Sequence, residues 1–300
     1  MKILLFGKNG QVGWELQRSL SVLGDVVALD RASKDHCGDL SDLDGVARTV
    51  RAVGPDVVVN AAAYTAVDKA ESEQELAHTI NTAAPAVLAQ EAKRLGAWLV
   101  HYGTDYVFDG SGSKPWVESD PLAPLNVYGR TKLEGERAIA SACEKHLIFR
   151  TSWVYGARGG NFIRTMLRLA QERERLTVID DQHGAPTSAE LLADVTAHAI
   201  RTVAGSGGEG GRPAGVYHLA AAGQTTWYGY AKYLLDEACR VKPEIKIKAT
   251  EVVPVTSEAF VTAARRPLNS RLDTAKLRAA FGLTLPPWQQ GVDRALAEIL

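Results

Sequence analysis

Short apolar runs alternate with helical patterns along the first half of this 300-residue chain. Ile3 to Phe6 is an apolar run that ends at a glycine, as buried parallel strands do. Val12, Leu16 and Leu20 follow at a spacing of four, which predicts a helix. Further strands are predicted at 26–30, 56–60, 98–102 and 146–150, and further helices at about 73–95 and 126–143. This alternation predicts an α/β fold with a doubly wound parallel sheet.

The composition excludes several classes of protein. Hydrophobic residues make up 46% and charged residues 23% of the chain, which is typical of a globular protein. Lys+Arg 34 against Asp+Glu 35 gives a net charge of -1, so we expect no nucleic-acid partner. Three scattered cysteines favour a reducing, cytoplasmic location over a disulfide framework. No run approaches the roughly 20 apolar residues that span a bilayer, so we expect no membrane partner.

A glycine loop joins the first strand to the first helix. Gly7, Gly10 and Gly13 form a GxxGxxG pattern at this junction. Without side chains the backbone turns tightly and approaches a ligand, and the helix N-terminus offers unpaired N–H groups to a pyrophosphate. The pattern predicts a Rossmann-type dinucleotide site, with Gln11 and Val12 of the same turn among the contacts.

The ends of the next strands supply further predicted contacts to the dinucleotide. Asp30 ends the second strand, where a carboxylate accepts hydrogen bonds from the adenosine ribose and repels a 2′-phosphate. This favours NADH, although Arg31 softens the repulsion and leaves NADPH open. Asp39 and Leu40 are expected near the adenine. Residues after the third strand are expected to lie against the cofactor: Ala62, Ala63 and Tyr64.

The second half of the chain is less regular. Helices are predicted at 161–174 and 188–203, strands at 176–180 and 216–219, and a flexible glycine-rich loop at 205–215. We therefore expect a dinucleotide-binding domain at 1–150 and a smaller α/β lobe at 151–300 that mainly binds substrate. Some segments from about 177–220 are expected to return to the sheet.

Tyr128 and Lys132 form a YxxxK pattern on a predicted helix. Residues at i and i+4 share one helical face, about 5–6 Å apart at Cβ. A nearby ammonium stabilises a tyrosinate, so we expect Lys132 to lower the pKa of the Tyr128 phenol and to bond a nicotinamide ribose. Thr104 follows the fourth strand at the carboxyl end, where ligands bind in such sheets, and Tyr102 of that strand is expected at the cofactor.

Four longer strings of residues narrow the class of protein. They are GTDYVFDG at 103–110, RTSWVYG at 150–156, DQHGAPT at 181–187 and RRPLNS at 265–270. With the glycine loop and the YxxxK pair, they resemble the dTDP-4-dehydrorhamnose reductase family of extended short-chain dehydrogenases/reductases. The resemblance spans nearly the whole chain and implies reduction of the C4 ketone of dTDP-4-dehydro-β-L-rhamnose by NADH or NADPH, the last step of dTDP-L-rhamnose synthesis. Gly103 is a departure, because many members are expected to have serine there.

The resemblance also implies a role for each matching residue. Tyr128 would protonate the C4 oxygen, Lys132 would lower its pKa and hold the ribose, and Thr104 would bond the same oxygen. Further residues would contact the sugar nucleotide: Asp105, Trp153, Asn161 and Arg266. A homodimer is implied as well. Some members use Mg²⁺ at a dimer interface through glutamates, and Glu190 is the candidate ligand, with an ordinary surface glutamate as the alternative.

Two other functions stay open at this point. A reductase-like chain can serve as a noncatalytic regulatory subunit, similar to that of methionine adenosyltransferase, but such a chain has no need of Tyr128 and Lys132. The chain could also be another sugar-nucleotide enzyme of the superfamily. A 4,6-dehydratase needs an Asp–Glu pair after the threonine, whereas Asp105 and Tyr106 follow Thr104 here. That argues against a dehydratase and leaves an epimerase open.

Overall fold

The computed structural model describes residues 1–205 and 213–300. The strands are β1 (Lys2–Phe6), β2 (Asp25–Leu29), β3 (Val57–Asn60), β4 (Trp98–Thr104), β5 (His146–Thr151), β6 (Val154–Tyr155), β7 (Arg175–Ile179), β8 (His183–Gly184), β9 (Thr187–Ser188), β10 (Gly215–His218), β11 (Thr225–Thr226) and β12 (Glu251–Val255). Six of them form a parallel sheet in the order β10-β5-β4-β3-β1-β2. The predicted doubly wound, Rossmann-type α/β fold is confirmed.

Eleven α-helices lie in the described residues. They are α1 (Gln11–Leu20), α2 (Leu43–Val53), α3 (Val67–Ala70), α4 (Gln74–His78), α5 (Ala84–Leu95), α6 (Val127–Ala142), α7 (Phe162–Glu172), α8 (Ala189–Gly205), α9 (Trp227–Val241), α10 (Ala275–Phe281) and α11 (Trp288–Ile299). The helix predicted at 73–95 is α4 and α5 joined by a π-helical turn at Thr79–Ala83. Most of the loop predicted at 205–215 lies outside the described residues.

Helices cover both faces of the sheet, which is why its strands are apolar along their whole length. On one face, Leu16 of α1, Leu192 of α8 and Leu277 of α10 share a core with alternate residues of the strands. On the other face, Val46 of α2 and Leu88 of α5 pack with the remaining strand residues. The strand order reverses between β1 and β3, and a crevice for a ligand forms at the carboxyl ends of the strands there.

A smaller lobe has its own hydrophobic core. β7 pairs with β12 in parallel, and α7, α9 and α11 pack around this pair through Ile163, Leu234 and Val292. β10 lies at the edge of the large sheet, and α8 packs on α1. The division at residue 150 into two domains stays a prediction. No described helix combines the length and the apolar character that crossing a bilayer requires.

Gly13 lets α1 pack closely against the turn that follows β1. A Cβ on Gly13 would lie 2.0 Å from the backbone oxygen of Gly7, so the backbone would have to shift. We expect Gly13→Ala to lower the free energy of unfolding by about 1–3 kcal/mol, as overpacking does. Urea unfolding of the full chain measures this change.

Gly10→Ala is the matched control for this prediction. Gly10 has φ -72°, and the nearest atom to an added Cβ would be 3.4 Å away. We expect the unfolding midpoint of this variant to stay close to that of the parent chain. Equal stability of the two variants would contradict the close packing of α1.

Candidate active site

A cleft of about 700 Å³ opens at the carboxyl ends of β1, β3 and β4. Its lining brings together twelve of the predicted site residues: Gly7, Gly10, Gln11, Val12, Ala62, Ala63, Tyr102, Thr104, Asp105, Tyr128, Lys132 and Trp153. They come from separate stretches of the chain that meet only because parallel strands end at the same edge of the sheet. The cleft is therefore the candidate active site.

The glycine turn forms a cradle at one end of the cleft. Gly7 has φ +90°, and a Cβ on it would lie 2.8 Å from the backbone of Ala61 and Ala62. α1 begins directly after Gly10 without a side-chain cap, so the unpaired N–H groups of its first turn suit an anion. Gly13 does not line the cleft and packs behind the turn. This cradle fits the pyrophosphate of a dinucleotide.

A second groove of about 530 Å³ continues the cleft past the glycine turn. Its lining includes the other predicted cofactor residues: Asp30, Arg31, Asp39, Leu40 and Tyr64. The carboxylate of Asp30 accepts hydrogen bonds from Ser33 Oγ at 2.9 Å and from the Ala32 N–H at 3.1 Å, and Asn9 also donates to it. The hydrogen bond from Ser33 is the main reason why the pKa of Asp30 lies below its usual value. The groove therefore offers a negative charge at the expected place of the adenosine ribose.

Lys132 is buried and anchored to strand β4. Its Nζ donates to the carbonyl oxygen of Tyr102 at 2.6 Å and lies 3.1 Å from Nε2 of His101. Burial lowers the pKa of Lys132 to about 8, and the negative charge of Glu136 opposes this shift. The phenol of Tyr102 points to Thr196, with 2.7 Å between the two oxygens. Tyr102 thus contacts Lys132 through its backbone carbonyl group, and its side chain points away from the site.

Tyr128 lies one helical turn before Lys132, beside Thr104. Burial raises the pKa of the Tyr128 phenol to about 12, and a hydrogen bond with the Thr104 side chain is the main opposing effect. The sequence argument expected Lys132 to lower this pKa, so the direction is the reverse of the expectation. The reason is that removal of the phenol from water disfavours tyrosinate more than its neighbours stabilise it. A raised pKa keeps the phenol protonated at neutral pH, which is the form that a proton donor needs.

Asp105 is a buried carboxyl group at the end of β4. It is 2% exposed, and its Oδ1 accepts a hydrogen bond from Thr104 Oγ1 at 3.2 Å. Its Oδ2 has no hydrogen-bond partner in the protein. Burial raises the pKa of Asp105 to about 7, and the nearby side chains of Ser270 and Thr104 offset this shift only in part. An unpaired buried oxygen is costly, so its place in the lining suggests a ligand hydroxyl as the missing partner.

Glu136 occupies the space beside Gly103, where the resembled family is expected to have serine. A Cβ on Gly103 would lie 2.2 Å from Oε1 of Glu136. That glutamate is buried and accepts hydrogen bonds from Nε and Nη2 of Arg150 at 2.9 and 2.8 Å. Glycine at 103 therefore suits the position of this ion pair, and the hydroxyl of Thr104 still reaches the site.

Two of the predicted substrate contacts, Asn161 and Arg266, line neither the cleft nor the second groove. Asn161 caps α7 through Oδ1, and its Nδ2 donates to Gln11 Oε1 at 3.1 Å. Arg266 forms two hydrogen bonds to Asp68, at 3.0 and 2.6 Å, and borders an apolar pocket of about 260 Å³ next to the cleft. These contacts leave the guanidinium only partly available to a ligand.

Glu190 pairs with Arg294 at 2.8 Å rather than facing the cleft. Its charge is one reason why the pKa of Glu15 is raised, after the larger effect of burial. Within residues 1–205 and 213–300, no group of three or more His, Cys, Asp or Glu side chains is arranged to hold a metal ion. The magnesium site stays a prediction from the resemblance.

The sequence argument missed several residues of the cleft. Trp227 begins α9 and stacks on Trp153, with 3.8 Å between ring centroids. Trp153 has φ +48°, and a Cβ on Gly184 would lie 2.7 Å from its ring. Arg158 also lines the cleft and lies over the ring of Trp14. No local sequence pattern predicts these residues at the cleft, because they lie on loops and helices of the second half of the chain that pack against it.

The fold and the cleft define a Rossmann-type protein of the extended short-chain dehydrogenase/reductase class. The family model described as RmlD substrate binding domain matches residues 1–300, and the chain belongs to this family. It is 57% identical over 301 residues to the dTDP-4-dehydrorhamnose reductase of Escherichia coli K12, covering 100% of this chain and 98% of the relative.

Solved structures show similarity to the same family. A dTDP-4-dehydrorhamnose reductase from Clostridium acetobutylicum superposes with a TM-score of 0.89 at 34% identity, over 99% of each chain. Another dTDP-4-dehydrorhamnose reductase, from Bacillus anthracis in complex with NADP, has a TM-score of 0.88 at 34% identity over 99% of each chain. The similarity therefore extends through both the large sheet and the smaller lobe.

Asp105 lowers the stability of the protein as its carboxyl group ionises. Its pKa is about 7 in the folded state and near 3.8 when exposed, so the cost appears as pH rises from about 4 and is complete above about 7. We expect Asp105→Asn to raise the unfolding free energy at pH 8 by an amount on the order of 1–4 kcal/mol, with no gain near pH 4. Urea unfolding at both pH values measures this difference.

Asp109→Asn is the control with the opposite sign. Asp109 accepts a backbone hydrogen bond from Ser111 at 2.8 Å, which holds the pKa of its carboxyl below the usual value. Its charged form stabilises the fold, so the substitution should give no gain at pH 8. If Asp105→Asn also gave no gain there, Asp105 would not be an ionised, unpaired group.

Proposed function

We propose that this chain reduces the C4 ketone of dTDP-4-dehydro-β-L-rhamnose to dTDP-β-L-rhamnose, with NADH or NADPH as the hydride donor. The observation that carries the proposal is the placement of Tyr128 and Thr104 side by side above the buried Lys132. The cleft that contains them continues into a groove with Asp30 at its far side, which gives room for an extended dinucleotide. The names of the relatives with 57% and 34% identity support the choice of substrate.

The two hydroxyl groups of the cleft would act on the ketone oxygen. When bound, the nicotinamide supplies the hydride to the carbonyl carbon. Negative charge then grows on the oxygen, and donors already aimed at it stabilise that charge in the transition state. Thr104 would turn its hydroxyl proton from Asp105 Oδ1 to the ketone oxygen, and Tyr128 would give that oxygen a proton. Lys132 lies one helical turn away and, in its charged form, stabilises the tyrosinate that remains.

Asp105 and Trp153 would orient the sugar in the cleft. The unpaired Oδ2 of Asp105 would accept a hydrogen bond from a hydroxyl group of the sugar, and the indole of Trp153 would cover an apolar face of the sugar ring. Asn161 would act through Gln11, because it holds that side chain rather than facing the cleft. Arg266 stays a predicted contact of the diphosphate, although Asp68 already accepts from two of its nitrogens.

The remaining expectations are also proposals. A homodimer rests on the resemblance alone, and light scattering of the purified chain tests it. A cytoplasmic location rests on the sparse cysteines, all three of which are free thiols. The cofactor domain at 1–150 and the substrate lobe at 151–300 rest on the separate core around β7 and β12.

The direct test is a screen of 4-keto sugar nucleotides with NADH and NADPH, followed by absorbance of the reduced nicotinamide. We expect oxidation of the cofactor only when the dTDP-linked 4-keto sugar is present. An epimerase would interconvert sugars without net oxidation of the cofactor, and a noncatalytic subunit would bind the cofactor without any turnover. Either of these results would reject the reductase.

Tyr128→Phe removes the proposed proton donor. We expect its turnover to fall by about 10²–10⁴-fold, because a positioned donor contributes that much, while cofactor binding stays nearly intact. Tyr106→Phe is the comparison, since the rings of Tyr106 and Tyr128 meet edge to face with centroids 5.6 Å apart. We expect that variant to lose far less activity. Steady-state kinetics and cofactor titration measure both, and unchanged turnover of Tyr128→Phe would remove the acid assignment.

Asp30→Asn tests the cofactor groove. Loss of the negative charge removes the repulsion of a 2′-phosphate, so we expect the ratio of kcat/KM with NADPH to that with NADH to rise about tenfold. Asp25→Asn, at the exposed opposite end of β2, is the matched control and should leave the ratio unchanged. An unchanged NADPH to NADH ratio of kcat/KM in Asp30→Asn would show that the adenosine ribose does not bind beside Asp30.

A further inference from the structure

Three buried polar side chains form a row beneath the cleft. Lys132 of α6, His101 of β4 and Asn60 of β3 are 2%, 1% and 1% exposed. Nζ of Lys132 lies 3.1 Å from Nε2 of His101, and Nδ1 of His101 lies 3.2 Å from Nδ2 of Asn60. Neither His101 nor Asn60 reaches the reacting groups. Burying a polar group costs free energy, so a histidine in the middle of an apolar strand indicates a role beyond packing.

The orientation of the Asn60 amide follows from a backbone contact. The N–H of Ala62 is a donor only, and it lies 3.1 Å from Oδ1 of Asn60, so this atom must be the oxygen. The other atom of the amide is then the nitrogen, which donates to Nδ1 of His101. A neutral imidazole has one donor and one acceptor nitrogen. Since Nδ1 accepts, the ring proton lies on Nε2.

That proton points at Lys132. An ammonium group has three donors and no acceptor, so a charged Lys132 and the Nε2–H of His101 would be two donors facing each other. A neutral amine can accept this hydrogen bond and still donate to the carbonyl oxygen of Tyr102. A charged imidazole would not help, because burial lowers the pKa of His101 well below its usual value and its Nδ1–H would face the donor nitrogen of Asn60.

The other charged groups near Lys132 do not remove this constraint. Glu136 on the same helix favours the ammonium form, but its Oε2 is engaged by Arg150 of β5 and its Oε1 makes no hydrogen bond to Lys132. Tyr128 is protonated at neutral pH, since its pKa is raised to about 12. β3 contributes the uncharged amide of Asn60. None of these groups supplies an acceptor between His101 and Lys132.

We propose that Asn60 and His101 are positioning residues that favour the neutral amine form of Lys132 over the ammonium form in the protein without cofactor. To charge Lys132, the ring proton of His101 must move from Nε2 to Nδ1, and the amide of Asn60 must turn over. The N–H of Ala62 then loses its acceptor and is offered to the cleft, which Ala62 lines. Protonation of the lysine is thereby coupled to what occupies the cleft. The geometry stands by itself, and its catalytic consequence rests on the proposed reductase function.

The tautomer of His101 can be measured without substrate. Two-bond ¹H–¹⁵N correlation spectra of the full chain with ¹⁵N-labelled histidine distinguish the ring nitrogen that carries the proton. The signal of His101 is assigned by its loss in His101→Gln. We expect the Nε2–H tautomer in the cofactor-free protein at about pH 8. An Nδ1–H tautomer would overturn the proposal, whether or not the chain proves to be a reductase.

Asn60→Asp reverses the constraint. Its carboxylate accepts from both the Ala62 N–H and Nδ1–H of His101, so Nε2 becomes an acceptor for a charged Lys132. We expect His101 to switch to the Nδ1–H tautomer. We also expect the alkaline limb of the pH profile of kcat/KM to move up by about one pH unit, because the proton affinity of Lys132 rises about tenfold. A loss that is only structural would lower the rate at every pH and leave the limb in place, and that result would reject the proposal.

Asn81→Asp is the matched control for a buried carboxylate. Asn81 is equally buried, but it bonds to the backbone of Tyr64 and to Thr131, not to His101. We expect the tautomer of His101 and the alkaline limb to stay as in the parent chain, and a switch in this control would overturn the proposal. If Asn60→Asp does not fold, the spectrum of the parent chain alone decides the question.

Discussion

The hydrogen bond from Lys132 to the carbonyl oxygen of Tyr102 joins the helix of the YxxxK pair to the end of strand β4. This short bond fixes the side chain of Lys132 on α6 against the sheet. Tyr128, one helical turn earlier on α6, then lies beside Thr104, the residue that ends the same strand. The spatial relation of the two hydroxyl groups thus depends on one buried amine whose charge is costly in that place.

The site keeps several polar groups that the fold alone would not favour. Oδ2 of Asp105 has no partner, and neither do Oε1 of Glu136 and the hydroxyls of Thr151 and Ser152. Each unpaired buried group lowers stability by about 1–3 kcal/mol. The hydrophobic cores on both faces of the sheet offset this cost. Asp105, Thr151 and Ser152 line the cleft, so their unpaired oxygens are available to a ligand there.

The smaller lobe completes one wall of the cleft with aromatic side chains. Trp227 stacks on Trp153 and also contacts Phe162, whose ring is tilted by 47° with its centroid 4.7 Å from that of Trp227. The stack stands between the cleft and the apolar pocket that Arg266 borders, since Trp227 lines both. In the proposed reduction, a flat aromatic wall of this kind would recognise a deoxysugar by shape.

By itself, the sequence determined the class of fold, and it predicted twelve of the residues that line the cleft. Apolar runs ended by glycine at β1 and the spacing of four in α1 are local signals, because a strand and a helix each have a fixed period. The YxxxK pair is local for the same reason, since one helical turn brings Tyr128 and Lys132 to one face. Most of the predicted cofactor residues line the cleft or the groove because they follow strands whose carboxyl ends meet at one edge.

Only the tertiary structure decided the chemistry of these residues. The pKa of Tyr128 is raised rather than lowered, since burial by distant parts of the chain outweighs the effects of its neighbours. The contact of His101 with Lys132, the stack of Trp227 on Trp153 and the pairing of Arg266 with Asp68 join residues far apart in sequence. Spacing along the chain carries no information on such contacts, because the packing of separate elements brings them together.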